Sequence, residues 1–279
     1  MQKILVTGVG GFAGGYIAQY LFNAGYNVTG LLHTKHGEFL FPVVVADLAE
    51  SLNLEEHFDV IVHAAGSLPF KEKDFRNFKR NNIDAMENIV TFAKHTGVKR
   101  IIFLSTIGVY GEFRDEIIDE YSDRINPDAY GVTKYVAECL LRAESEIEGI
   151  SLRMPGIIGK GSRGVWLPDT VEKFRRNEDV KIYSPDFQTK NFVWIGDLAK
   201  FIARLIQMKN WKYDVVNLAC QQSTSVREIV TEMKKLTKSK SRILVSDSIR
   251  RAFCLNSSRA LEMGYVSLGP LAIVDKFIV

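Results

Sequence analysis

Short runs of apolar and β-branched residues alternate with longer segments of helical period along the first half of the chain. That alternation predicts a parallel sheet covered by crossover helices. The predicted strands are Ile4 to Thr7, Val28 to Leu32, Val43 to Ala46, Val60 to His63, Arg100 to Ser105 and Ile150 to Arg153. Between them, Phe12 to Ala24, Phe75 to His95 and Tyr130 to Glu148 are predicted as helices, the last with Asn126-Pro127-Asp128 as stop signal and N-cap. After Arg153 the alternation loosens and glycine and serine become frequent (Gly156, Gly159, Gly161, Ser162, Gly164). A helix near Val165 to Arg176, another from Asp197 to Met208, a strand at Val215 to Leu218 and a helix from Val226 to Leu236 are predicted there. The expected fold class is α/β: a doubly wound parallel sheet over residues 1–153, and a smaller C-terminal α/β lobe over 154–279 with some segments returning to the core.

With 279 residues, 46% of them hydrophobic, the chain can bury a sizeable core. Its net charge of +3 is spread along the sequence apart from short runs such as Lys234-Lys235 and Arg250-Arg251. A nucleic-acid or membrane-surface partner therefore has little electrostatic support, and no apolar stretch reaches the roughly 18 to 20 residues of a membrane span. Cys139, Cys220 and Cys254 are far apart and lack CxxC spacing, so neither a disulfide framework nor a metal site is expected. The opening residues Met1 to Val6 run straight into a glycine-rich turn without a leader pattern, and a cytoplasmic setting is the expectation.

That turn, Thr7-Gly8-Val9-Gly10-Gly11-Phe12-Ala13-Gly14, follows the first predicted strand and opens a helix. Gly8 permits the tight turn, Gly11 lets backbone approach a pyrophosphate, and Gly14 lets helix and strand pack closely. Free N–H groups at the helix start attract phosphates, which makes a dinucleotide the expected cofactor on a Rossmann-type half. An acid at the end of the second strand selects NAD by holding the ribose 2′-OH, whereas a basic residue accommodates a 2′-phosphate. Here the run is Leu31-Leu32-His33-Thr34-Lys35-His36, with no acid before Glu38. The reading is NAD(P) leaning to NADP(H), with His33, Thr34 and Lys35 as phosphate ligands; a solvated basic loop is the alternative. Asp47, followed by Leu48 at the end of the third strand, is assigned either to the adenine amino group or to an ordinary N-cap.

Tyr130-Gly131-Val132-Thr133-Lys134 places a phenol and an ammonium four residues apart, hence on one helix face. A nearby positive charge stabilises phenolate and is expected to bring the Tyr130 pKa down towards neutrality, making it an acid or base on a substrate oxygen. The fifth strand ends in Ser105-Thr106, where one hydroxyl is expected to hydrogen-bond the reacting oxygen.

The ordered motifs Thr7-Gly8-x-x-Gly11-x-x-Gly14, His63-Ala64-Ala65-Gly66, Asn82 with Asn88, Ser105-Thr106-x-x-Val109-Tyr110-Gly111 and Tyr130-x-x-x-Lys134 resemble the extended short-chain dehydrogenase/reductases of the NAD-dependent epimerase/dehydratase group. The resemblance continues through Leu152 to Gly156, Phe192 to Ala199, Val216-Asn217-Leu218, Asn256 to Ala260 and Met263-Gly264-Tyr265. It implies Tyr130 as acid/base, Lys134 also holding the nicotinamide ribose, and Thr106 as the assisting hydroxyl. It places His63, Ala64, Ala65 and Asn82 along the cofactor and Pro155 with Gly156 at the carboxamide. It also implies a nucleotide-sugar substrate held by the C-terminal lobe, with Arg163, Trp166, Asn191 and Arg251 as contacts, and a homodimer paired through the Phe75 to His95 and Tyr130 to Glu148 helices. Trp194 and Gly196 depart from the group's usual His and Asp.

Three functions follow. The first is an NADP(H)-dependent keto-sugar reductase. The second is an NAD-dependent nucleotide-sugar 4-epimerase of the UDP-hexose type, which shares every catalytic residue. The third is a non-catalytic dinucleotide-binding regulator, against which the intact Tyr130, Lys134 and Thr106 argue.

Overall fold

Strands buried on both faces read as continuous apolar runs, and the central ones here do: Ile4 to Thr7 and Val60 to His63 are buried throughout. The computed structural model of the chain describes residues 2–34, 36–246 and 252–279. Strands β1 (Lys3–Thr7), β2 (Asn27–Leu32), β3 (Val43–Val45), β4 (Val60–His63), β5 (Arg100–Thr106), β6 (Glu148–Met154) and β7 (Val215–Asn217) form one sheet in the order β7-β6-β5-β4-β1-β2-β3. β1 pairs in parallel with both β2 and β4, so that Thr7 lies opposite Leu31 on one side and His63 on the other. The chain departs from β1 towards one edge and comes back on its other flank. This reversal leaves a crevice at the carboxyl ends of β1 and β4, where open α/β sheets bind ligands.

Helix α1 (Phe12–Asn23) follows β1, α2 (Ala85–Thr96) precedes β5, and α3 (Ala129–Ala143) precedes β6. One hydrophobic cluster joins α2 and α3 to the sheet through Leu5, Ile61, Met86, Ile89, Ile101, Phe103, Ala137 and Leu141, among others. Ahead of α2, a helical turn Phe75–Phe78 passes into a π-helical stretch Lys79–Asp84, so the helix expected from Phe75 to His95 is interrupted. The helix expected to reach Glu148 ends at Ala143. Glu148 already belongs to β6, where its N–H bonds the Lys99 carbonyl and its carboxylate holds Arg100 at 2.8 Å.

Two compact units divide the chain. One comprises the described residues of Met1–Glu112, Asp123–Arg153 and Leu198–Val216; the other comprises those of Phe113–Ser122, Met154–Asp197 and Asn217–Val279. Most of the helix Ile195–Gln207, and Val215 with Val216, thus lie in the first unit, while the sequence reading allowed for some segments of 154–279 returning to the core without naming them. Their side chains explain the placement: Leu198, Ile202, Leu205, Val215 and Val216 are buried. Conversely, Phe113–Ser122 enters the second unit, where Ile117–Ile118 pairs with Cys254–Leu255 and the buried Glu120 accepts from the Asn217 N–H at 2.7 Å. No helix among the described residues is long and apolar enough to cross a membrane.

Candidate active site

The crevice begins with the glycine turn. Gly8 sits at φ +71°, and a Cβ there would stand 2.8 Å from the backbone of Ala65, so β4's continuation can lie against the turn only because Gly8 has no side chain. A Cβ at Gly14 would collide with the Gly8 carbonyl, which seats α1 against the end of β1. Gly11 is the N-cap of α1 and offers no side-chain acceptor, so the N–H groups from Phe12 and Ala13 onward face the crevice end of the helix without a cap. Backbone shape and uncapped donors together fit the pyrophosphate of a dinucleotide.

Thr7 ties the two central strands together at this point. Its hydroxyl oxygen accepts from the Ala64 and Ala65 N–H groups, both at 3.1 Å, and lies 2.9 Å from His63 Nδ1. With both lone pairs used, the hydroxyl must donate to Nδ1, which places the imidazole proton on Nε2. Nε2 is buried without a hydrogen-bond partner among the described residues, and burial, helped by the Lys134 charge, depresses the His63 pKa to about 3. His63 is therefore a neutral core residue stacked on Phe103, and the neighbouring Ala64 and Ala65 carry the backbone edge of the crevice.

At the end of β2, His33 and Thr34 are exposed, and His36 folds its ring over Gly10 with Nδ1 2.7 Å from the Thr34 carbonyl. Lys35 lies outside the described residues. Asp47 bonds the Ala49 N–H at 2.9 Å and pairs with Arg80 at 2.6 Å, with His33 at 3.8 Å. The Arg80 hydrogen bond holds the Asp47 carboxyl below the usual carboxylate range. Arg80 escaped the sequence reading because no periodicity marks a residue 33 positions from its partner. Leu48 belongs to the hydrophobic cluster, and its carbonyl accepts from Asn88 at 2.9 Å.

Asn82, in the π-helical stretch, is buried and uses its whole carboxamide: its oxygen accepts from Ser67 N–H at 2.9 Å, and its nitrogen donates to the Thr133 hydroxyl at 3.0 Å. It pins the loop after β4 to α3, and Thr133 in turn donates to the Tyr130 carbonyl at 2.9 Å. Asp128 caps α3 by accepting from Gly131 N–H at 2.7 Å. Gly131 itself meets the Gly108 carbonyl so closely that a Cβ would collide, and this contact brings Tyr130 beside Thr106.

Tyr130 lies beside Thr106, whose hydroxyl acts to lower the phenol pKa and whose oxygen accepts from the Gly108 N–H at 3.1 Å. Ser105 points to the other side of β5, as successive strand residues do, and donates to Glu138 at 2.5 Å. Thr106 is thus the hydroxyl at the phenol. Lys134 is buried, with its ammonium 4.0 Å over the Phe103 ring. The expected acidic phenol is not what the geometry produces. Burial pushes Tyr130 up to about 12 against the lowering effect of Thr106, and pushes Lys134 down to about 7 against the Glu138 charge. Desolvation outweighs the attraction because the ammonium rests on an aromatic face rather than on the phenol.

A second charged group lies one turn further along α3. Glu138 and Arg153, both fully buried, pair at 2.6 Å, and Arg153 also donates to the Tyr110 hydroxyl at 3.0 Å. The carboxylate one turn after Lys134 is readable as helical spacing; its arginine partner on β6 is not.

Of the residues expected to hold substrate, Thr106 lies in the first unit, and Arg163, Trp166 and Asn191 lie in the second. Trp166 opens the helix Trp166–Arg175, is 41% exposed, and has its ring 6.0 Å from Phe192. Arg163 is exposed and Pro155 is buried. Asn191 spends both carboxamide atoms on backbone, donating to the Phe253 carbonyl at 2.7 Å and accepting from Leu255 N–H at 2.9 Å. These two bonds pin the Phe253–Leu255 segment. Arg251 lies outside the described residues.

Comparison with known proteins matches residues 4–219 to the NAD dependent epimerase/dehydratase family. A protein of Methanocaldococcus jannaschii named "Putative UDP-glucose 4-epimerase" is 31% identical over 258 residues, covering 83% of this chain and 81% of that one. A dTDP-4-dehydro-6-deoxy-D-allose reductase of Streptomyces sp. is 26% identical over 259 residues, covering 82% and 79%. The UDP-glucuronic acid 4-epimerase of Bacillus cereus, solved in complex with NAD, superposes with a TM-score of 0.84 at 21% identity, covering 99% of this chain and 97% of that one. The glycine cradle, the Thr106, Tyr130 and Lys134 cluster and these matches agree: the chain belongs to the NAD-dependent epimerase/dehydratase family and is an enzyme of the short-chain dehydrogenase/reductase type.

Proposed function

We propose that the chain interconverts 4-epimers of a nucleotide-activated hexose of the UDP type, using a nicotinamide dinucleotide that stays bound. The observation that carries this reading is that Thr106 and the Tyr130 ring both lie against Gly108, with Lys134 one turn further along the same helix. The dinucleotide supplies a hydride acceptor and donor when bound. The N–H groups at the start of α1 hold its phosphates, and Gly8 and Gly14 leave room for them. Tyr130 would act as the phenolate, formed when the phenol releases its proton to solvent as cofactor and substrate bind: it takes the proton of the substrate hydroxyl and later returns it to the keto oxygen. Thr106 holds that oxygen against the phenol, and Lys134 supplies the positive charge that lowers the cost of phenolate once substrate closes the site. The M. jannaschii relative's name supports the sugar class.

A second reading, an NADP(H)-dependent reductase of a keto sugar nucleotide, is favoured by two specific observations. The β2 end carries no carboxylate, and burial keeps the Tyr130 phenol protonated, the state that delivers a proton to a carbonyl. One pair of assays separates them. Interconversion of UDP-glucose and UDP-galactose without net change in nicotinamide absorbance supports the epimerase. Stoichiometric NADPH consumption with a 4-keto nucleotide sugar, and no epimer formed, replaces it by the reductase. In either case Tyr130→Phe is expected to lower turnover by about 10² to 10⁴, and near-native turnover would remove Tyr130 from the chemistry.

A further inference from the structure

A buried ammonium needs a reason to stay charged, and Lys134 has two neighbours that supply one. The Phe103 ring lies 4.0 Å beneath it. Glu138 follows four residues later on α3, the spacing at which helix side chains meet. The remaining titratable groups facing Lys134 do not help: His63 on β4 is kept neutral by its burial, and Tyr130 on α3 is protonated.

Glu138 is itself unusually constrained. Its carboxylate receives Arg153 through Nε at 3.0 and 3.2 Å and through Nη2 at 2.6 Å, and it receives the Ser105 hydroxyl as well. Arg153 is locked in turn by the Tyr110 hydroxyl. Two strand groups, Ser105 from β5 and Arg153 from β6, therefore hold one carboxylate, and Tyr110 from the turn after β5 steadies the arginine. As a stability device this arrangement is poorly chosen, since apolar residues of similar volume are often as good as or better than a buried ion pair. Its position relative to Lys134 gives it a different purpose.

We propose that Glu138 is a positioning residue for Lys134: clamped by Arg153 and Ser105 one helical turn from the ammonium, its carboxylate acts on the buried lysine through its charge rather than by direct pairing and keeps it charged at the reaction centre. Arg153 has two opposed effects. It fixes the carboxylate, and it withdraws part of the negative charge that Lys134 feels, so the lysine is held near the point of losing its proton rather than locked as a permanent cation. The inference rests on the reading of Lys134 as part of the catalytic cluster, but its test needs no turnover.

The full-length protein is labelled with lysine carrying ¹³C at Cε, and the Lys134 resonance is assigned by its absence from Lys134→Gln. The pH midpoint of that resonance is measured in the native chain, in Glu138→Gln, and in the double variant Glu138→Gln/Arg153→Met, which removes both charges and guards against a fold lost to an unpaired arginine. In Glu138→Gln the midpoint is expected to fall by about one pH unit, the size of effect a neighbouring opposite charge produces, and in the double variant by less, because loss of the Arg153 charge offsets part of the loss of the carboxylate. The alkaline limb of the turnover profile is expected to move to lower pH with it, and Glu138→Asp is expected to restore part of both shifts. A Lys134 midpoint unchanged in the folded variants overturns the proposal and leaves Glu138 as packing for Arg153. If the sugar assays fail while the midpoint moves, the functional reading falls and the lysine device stands; if turnover is normal and the midpoint stays, the device alone falls.

Discussion

The glycine turn after β1 and the inner face of α3 are built by opposite means. At the turn, function comes from what is missing: Gly8, Gly11 and Gly14 have no side chains, and their absence lets backbone approach backbone and leaves helix donors uncapped. At α3, function comes from side chains crowded into a dry interior, where Lys134, Glu138 and Arg153 are all buried. The first arrangement depends on space and is insensitive to pH. The second depends on charge in a low-dielectric setting, where each group's protonation is decided by its neighbours.

The contrast has measurable consequences. The largest is expected at Arg153→Met, which strands the Glu138 carboxylate in the core; a loss of roughly 3 to 5 kcal/mol in urea unfolding is expected, as for other broken buried pairs. A loss below about 1 kcal/mol, the level of surface ion pairs, would mean that the carboxylate is not buried as described.

Gly14→Ala probes the turn in its own terms. In an ordinary helix this change stabilises by about 0.4 to 1 kcal/mol. Here the new Cβ meets the Gly8 carbonyl, so the sign reverses to a destabilisation of about 1 to 3 kcal/mol, with dinucleotide affinity falling by roughly tenfold to a hundredfold in fluorescence titration. A stabilised variant with full affinity would show that the close approach is not needed.

His63 separates the two regions by pH. Its folded pKa of about 3 lies below the ordinary 6.5, so the unfolded chain binds the proton that the folded chain refuses. Its contribution is complete above pH 6.5 and is lost as the pH falls towards 3. Between pH 7 and pH 5 the native chain is expected to lose about 2 kcal/mol more than His63→Gln, in which the titrating group is gone. Equal slopes in the two proteins would contradict a neutral, buried imidazole.

The smallest expected effect is at Asp128→Ala, which removes the N-cap of α3 and is expected to cost about 1 kcal/mol in thermal or urea unfolding. Turnover of the remaining folded protein should stay close to native, because Tyr130 is also positioned by the contact of Gly131 with Gly108. A large selective loss of turnover would make the cap, rather than that contact, the element that aims the phenol.

What could be read from the residues alone follows from local rules. Continuous apolar runs gave the central strands, glycine spacing gave the turn, and Asp128 gave the start of α3, because each depends on neighbours within a few positions. The helix ending at Ala143 and the π-helical stretch Lys79–Asp84 escaped that reading, since each is set by what the segment packs against. The acidity of Tyr130 was misjudged for a related reason: spacing brings Lys134 near, but burial of both groups and the Phe103 face beneath the ammonium set the balance. Asp47 found Arg80, Asn82 found Thr133, and Ser105 turned from the phenol to Glu138, each through partners dozens of residues away. Local propensity and periodicity thus carried the architecture and the cofactor cradle. The charges that tune the chemistry belong to long-range packing, because desolvation and pairing are properties of the assembled interior and have no signature along the chain.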